Sequence, residues 1–121
     1  MIKKIATAAV YVADQKKALA FWTEKVGFEL RDNIEMGNGM SWMEVAPPGA
    51  ESCLVLYPQK LMSNFRELKP SIVFACEEIE NLCARLKANG VRFPKDLADL
   101  AWGKFASFAD EDGNEFGLKG N

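Results

Sequence analysis

No histidine occurs among the 121 residues. That removes imidazole as base, nucleophile or metal ligand, and with it Ser-His-Asp catalysis, Cys-His catalysis and the common zinc hydrolase sites. Three thiols remain, Cys53, Cys76 and Cys83. Their odd number and irregular spacing fit neither a disulfide framework nor a zinc ribbon and point to a reducing, cytoplasmic setting. Cys53 reads as a small hydrophobe, because nothing cationic is placed to activate it. Acid–base work would fall to carboxylates, and Glu44 and Glu115 are the candidates. A carboxylate enclosed by aromatic rings is a stronger base than one in water, as proton abstraction requires.

Those residues sit in a chain sized for one domain with a real core. Hydrophobic residues make up 49% and the formal net charge is -2, which gives no footprint for a phosphate backbone, so nucleic acid is not an expected partner. No segment has the length of a membrane span. The apolar stretch after Lys4 is short, β-branched and runs into a helix start at Asp14, so it does not read as a secretory signal.

Two similar halves position the candidates. Lys4 to Val12 reads as a buried strand, Asp14 as an N-cap, and Leu19, Trp22 and Val26 as a helical stripe ended by Gly27. The same grammar returns in Ser71 to Cys76, in the stripe Ile79, Leu82, Cys83 and Leu86, and in the stop Asn89-Gly90. The offset is 64 from Val12 to Cys76 and 63 from Gly27 to Gly90, the mark of a duplicated module. Short strands follow each stop: Phe28 to Asn33, Met40 to Ala46 and Ser52 to Tyr57, then Val91 to Pro94, Phe105 to Ala109 and Glu115 to Lys119. The turns are Asn38-Gly39, Pro47-Pro48-Gly49 and Asp112-Gly113-Asn114. The expectation is one α+β domain over 1–121, built from two tandem βαβββ modules, about 1–57 and 71–121, joined by a linker over 58–70 with a helical turn near Asn64 to Leu68.

Two segments carry a family likeness. Val12-Ala13-Asp14, followed by Ala20-Phe21-Trp22-Thr23-Glu24-Lys25-Val26-Gly27-Phe28, resembles the V-x-D and F-Y-x-x-x-L-G-F pattern of the vicinal oxygen chelate superfamily. That superfamily includes glyoxalase, fosfomycin-resistance and bleomycin-resistance proteins. Trp102-Gly103 with Phe108-Ala109-Asp110-Glu111-Asp112-Gly113-Asn114-Glu115-Phe116 resembles its closing W-G and F-x-D-P-D-G-N motif, with Glu111 in place of the proline. With the paired modules, the likeness covers nearly the whole chain. It implies a curved mixed sheet around a concave cavity, helices on the convex side, and a homodimer.

The likeness also implies where metal ligands would stand, and none stands there. By register they fall at Thr7, at Ser71, at Val55 (Leu54 if the alignment slips by one) and at Gly117. No imidazole, carboxylate or thiolate occupies these positions. An all-carboxylate site from Glu44 and Glu115 lacks enough converging oxygens. No metal and no cofactor is expected.

Strand alternation then assigns the cavity wall. Trp42, Glu44, Cys53, Val55 and Tyr57 separate from the apolar set Met43, Val45, Leu54 and Leu56, which should meet the helix. Thr7, Ala9 and Tyr11 join the first group, as do Ser71, Val73, Phe105, Ser107, Glu115 and Gly117 of the second module, with Trp102 on a loop nearby. Ligand-binding residues are therefore expected at Thr7, Trp42, Glu44, Val55, Tyr57, Ser71, Trp102, Phe105, Ser107 and Gly117. Rings, hydroxyls and one or two acids suit an amphipathic or aromatic small molecule. Three functions compete: a metal-independent binding protein, a metal-free lyase or isomerase using Glu44 or Glu115 as general base, and a structural or interaction domain with a filled cavity.

Overall fold

The computed structural model describes residues 1–101 and 103–120. The chain divides into two compact units, Met1–Lys69 and Pro70–Asn121.

In the first unit, β1 (Thr7–Val12) leads into α1 (Gln15–Ala20). Asp14 starts the helix from an extended conformation, its carboxylate accepting from the backbone N–H groups of Lys16 at 3.0 Å and Lys17 at 3.2 Å. The helix then winds more widely, as a π-helical segment over Phe21–Val26. The wider winding turns Phe21 and Trp22 into the core beside Ala18, at 3% and 0% exposure, whereas Val26 stays half-exposed. The apolar stripe expected at Leu19, Trp22 and Val26 is therefore rotated, because a regular 3.6-residue period does not survive past Ala20. Gly27 ends the segment at φ 95°, a conformation costly for residues with a Cβ.

Strands β2 (Glu29–Gly37), β3 (Met40–Ala46) and β4 (Cys53–Pro58) follow. β2 runs farther than the sequence pattern indicates, up to the Asn38-Gly39 turn, where both residues have positive φ. The sheet order is β1-β4-β3-β2, with β1 parallel to β4 and the other pairs antiparallel. Val10, Val12, Met43, Val45, Leu54 and Leu56 are buried, the set that alternation directs toward the helix. Gln15 locks the helix to the sheet. Its Nε2 donates to the carbonyls of Ser41 (2.6 Å) and Leu56 (2.7 Å), and its Oε1 accepts from Ser41 N–H at 3.1 Å.

Two short 3-10 turns, Gln59–Leu61 and Phe65–Glu67, precede the second unit. There β5 (Ile72–Ala75), α2 (Ile79–Ala88), β6 (Arg92–Leu100), β7 (Gly103–Ala109) and β8 (Glu115–Gly120) repeat the plan, in the order β5-β8-β7-β6. The repeated order, with a parallel first–last pair in each unit, is the duplication the sequence spacing indicates. α2 buries Ile79, Cys83 and Leu86. Phe74, Phe108 and Phe116 stack with ring centroids 5.4 to 6.3 Å apart, an aromatic core. β6 extends beyond Pro94 to Leu100, because an edge strand tolerates a residue with no N–H.

The closing Asp110-to-Asn114 turn is fastened by one side chain. Asp110, 7% exposed, accepts through Oδ1 from the N–H of Asp112 (3.0 Å) and Asn114 (2.8 Å), and through Oδ2 from Asn114 Nδ2 (2.9 Å). Asp110→Ala removes those three hydrogen bonds, so urea denaturation should show a loss of about 2–3 kcal/mol. Burial holds the Asp110 carboxyl above 3.8, outweighing the hydrogen bonds that pull it down. The folded chain thus binds this proton more firmly than the unfolded chain. The group's titration adds stability as pH falls through the raised value, and that gain is absent above it. The stability of the native chain relative to Asp110→Asn should therefore rise when unfolding is measured from pH about 7 down to about 4.

Candidate functional site

Register resolves which side chains share a face in each unit. In the first, Thr7, Ala9 and Tyr11 of β1 stand beside Cys53, Val55 and Tyr57 of β4, and Val55 pairs with Glu44 of β3. Glu44 in turn pairs with Asp32 of β2, and Trp42 with Ile34. Five expected residues, Thr7, Trp42, Glu44, Val55 and Tyr57, thus lie on the face opposite α1. The Tyr57 ring meets Tyr11 and Trp42 edge-on, each at 6.1 Å. Trp42 Nε1 donates to Glu44 Oε2 at 2.7 Å. Thr7, Trp42, Glu44 and Tyr57 are half-exposed and Val55 is buried.

In the second unit, Gly117 of β8 pairs with Val73 on one side and Ser107 on the other, and Ser107 pairs with Lys95 of β6. These residues, with Ser71, Phe105 and Glu115, line a hollow of about 240 Å³. Ser71, Phe105, Ser107 and Gly117 come together there. Trp102 lies outside the described residues. Lys95 is a lining residue that the sequence reading omits, since the strand was expected to stop at Pro94. A register shift between Arg92 and Lys95 turns Lys95 to the Ser107 face, so plain alternation carried through the proline does not find it.

Two details define this hollow. Ser107 is 6% exposed, and its Oγ has no hydrogen-bond partner among the described residues. A buried hydroxyl in that condition costs free energy that a ligand hydrogen bond recovers. Gly117 is there for space: a Cβ at this position would stand 2.8 Å from the tip of the Phe105 ring and 3.1 Å from Val73 Cγ2. The ring thus covers the point from which the likeness would have a metal-ligating carboxylate project. Thr7 and Ser71 offer only hydroxyls and Val55 no donor, so these positions do not fit a resident divalent metal. Among the described residues, no group of three Cys, Asp or Glu side chains is placed around a common point.

The remaining titratable candidates differ in setting. Glu115 is exposed, without the enclosing rings that the general-base reading needs, and Glu44 is half-exposed beside the Trp42 indole. Burial pushes the Cys76 and Cys83 thiols up, away from the reactive thiolate form. A second hollow, of about 290 Å³, borders Asp14, Lys16, Asn38 and Lys60 and contains none of the expected site residues.

The model of the Glyoxalase/Bleomycin resistance protein/Dioxygenase superfamily matches residues 4–118. The chain belongs to this superfamily. Other comparisons agree with that placement. The chain is 52% identical to the protein YetH of Bacillus subtilis strain 168, over 98% of this chain and 99% of that one. A superfamily member from Sphaerobacter thermophilus superposes with a TM-score of 0.88 at 30% identity, covering 99% of this chain and 98% of that one. TnmS3, an antibiotic-binding protein from Streptomyces sp. CB03234, superposes with a TM-score of 0.81 at 32% identity, covering 98% and 96%. Among the described residues, no helix is long and apolar enough to cross a membrane.

Gly117→Ala probes the position at which the likeness would place a metal ligand. The added methyl must displace the Phe105 ring, so stability should fall by about 1–3 kcal/mol. Combining Gly117→Ala with Phe105→Leu should recover part of that loss in thermal denaturation.

Proposed function

We propose that this protein is a metal-independent small-molecule binding protein of the glyoxalase/bleomycin-resistance type, taking an amphipathic or aromatic ligand. The observation that carries the reading is the hollow of the second unit, where the Phe105 ring and the unpartnered Ser107 hydroxyl line one cavity. A ring offers a stacking surface and a buried hydroxyl fixes orientation, the usual division of labour in ligand pockets. Lys95 and Glu115 at the same wall add charge for a polar substituent. The antibiotic-binding activity of TnmS3 supports capture as the role of such a scaffold. Binding is favoured over proton abstraction because Glu115, the carboxylate nearest this hollow, is exposed. The same reading treats 1–121 as a single functional domain acting as a homodimer.

Intrinsic tryptophan fluorescence, titrated with a set of aromatic heterocycles, tests this function. At least one compound should saturate the signal, and its affinity should be unchanged by prior treatment with a chelator. Phe105→Ala and Ser107→Ala should each weaken it by about five- to tenfold, in line with one stacking contact or one hydrogen bond. Binding that needs a stoichiometric metal, or that ignores both substitutions, overturns the proposal.

A further inference from the structure

We propose that the first unit carries a subsite for an organic cation, an alkylammonium or quaternary ammonium group, formed by Trp42, Tyr57, Tyr11 and Glu44. The inference rests on the binding reading and adds to it a ligand class for the first unit taken by itself. Perpendicular rings on their own are ordinary packing. Here they come with a carboxylate that is already positioned. Glu44 Oε2 is held by the Trp42 indole at 2.7 Å, while Oε1 has no hydrogen-bond partner among the described residues. The Tyr57 ring stands at 79° to Trp42 and 87° to Tyr11, so ring faces and edges alternate along the sheet. A cation seeks ring faces and a carboxylate together, and partial desolvation strengthens both attractions. All four residues are half-exposed, which leaves them open to a ligand.

The charge pattern points the same way. Asp32 is the direct cross-strand partner of Glu44, and like charges placed opposite one another oppose pairing. Arg31, at the register shift between Leu30 and Asp32, is the base beside this face, but its guanidinium is engaged by Glu29 (3.3 Å) and by the carbonyls of Ala50 and Pro47 rather than by Glu44 or Asp32. A bound cation between the two carboxylates relieves that repulsion, whereas an anionic ligand adds to it. The subsite therefore selects for positive charge as well as for shape.

Nitrogen-15 correlation spectra separate this subsite from the hollow of the second unit. The indole N–H signal of Trp42 is assigned with Trp42→Phe. The labelled protein is then titrated with choline, with its uncharged isostere bearing tert-butyl in place of trimethylammonium, and with indole. Choline should shift the Trp42 signal and bind about tenfold more tightly than the isostere, a margin typical of a desolvated cation–π site reinforced by a carboxylate. Glu44→Gln keeps an acceptor for the indole and should remove most of that preference. Tyr57→Leu should weaken choline while leaving the circular dichroism spectrum native. Equal affinity for choline and isostere, choline binding that bypasses Trp42, or a preference that survives Glu44→Gln each overturns the cation subsite. If indole still perturbs Phe105 and Ser107, the binding reading stands without it. If neither indole nor choline binds, both fall.

Discussion

A four-stranded sheet has two faces, and each unit of this protein supplies a single helix to cover one of them. Everything else in the architecture follows from that mismatch. Alternation sends Val45, Leu54 and Leu56 under α1, and Phe108 and Phe116 into the core of the second unit, where the half-buried Phe74 stacks on them. The residues of opposite parity are then free to be polar, aromatic or small without loss to the core. The parallel pairing of first and last strands, β1 with β4 and β5 with β8, brings residues distant in sequence onto that second face. Thr7 comes beside Cys53, and Val73 beside Gly117.

On such a face, substitution is chemically inexpensive, and the second unit illustrates the result. Where superfamily likeness implies a carboxylate, Gly117 leaves room for the Phe105 ring. A carboxylate there would present charge and oxygen atoms, whereas glycine beneath a phenyl ring presents an apolar surface. One scaffold thereby hosts different ligand chemistries. By contrast, the aspartate of the Asp110 turn has a structural role: its Oδ1 accepts from two backbone N–H groups and its Oδ2 from the Asn114 side-chain amide.

How much of this was legible in the sequence depends on the kind of signal. Caps, turns and alternation are local, so Asp14, Gly27, Asn38-Gly39 and the inward-facing parity in β3 and β4 were readable directly. The π-helical winding was not, because residue periodicity assumes a constant pitch and the helix abandons it at Phe21. Strand ends were also poorly marked: Pro94 reads as a stop, yet on an edge strand the chain passes it with a register shift and pairing resumes at Lys95. The hollow was half legible. Parity found Ser71, Phe105, Ser107 and Gly117, but Lys95 lay past the expected boundary. The bond between Trp42 and Glu44, and that between Gln15 and two strands, depend on side-chain reach, which no spacing rule encodes.

The outer strand β2 has a consequence of a different kind. It is exposed along its whole length and carries Leu30, Ile34 and Met36 at the surface, the combination from which intermolecular cross-β stacking starts. Its register breaks twice, between Leu30 and Asp32 and again between Glu35 and Gly37, and charged Glu29, Arg31, Asp32 and Glu35 interleave the apolar residues. An irregular, charged rim offers a poor template for an added chain. The irregularities that look like defects in pairing are thus the features that oppose edge-to-edge addition of another chain along this apolar border.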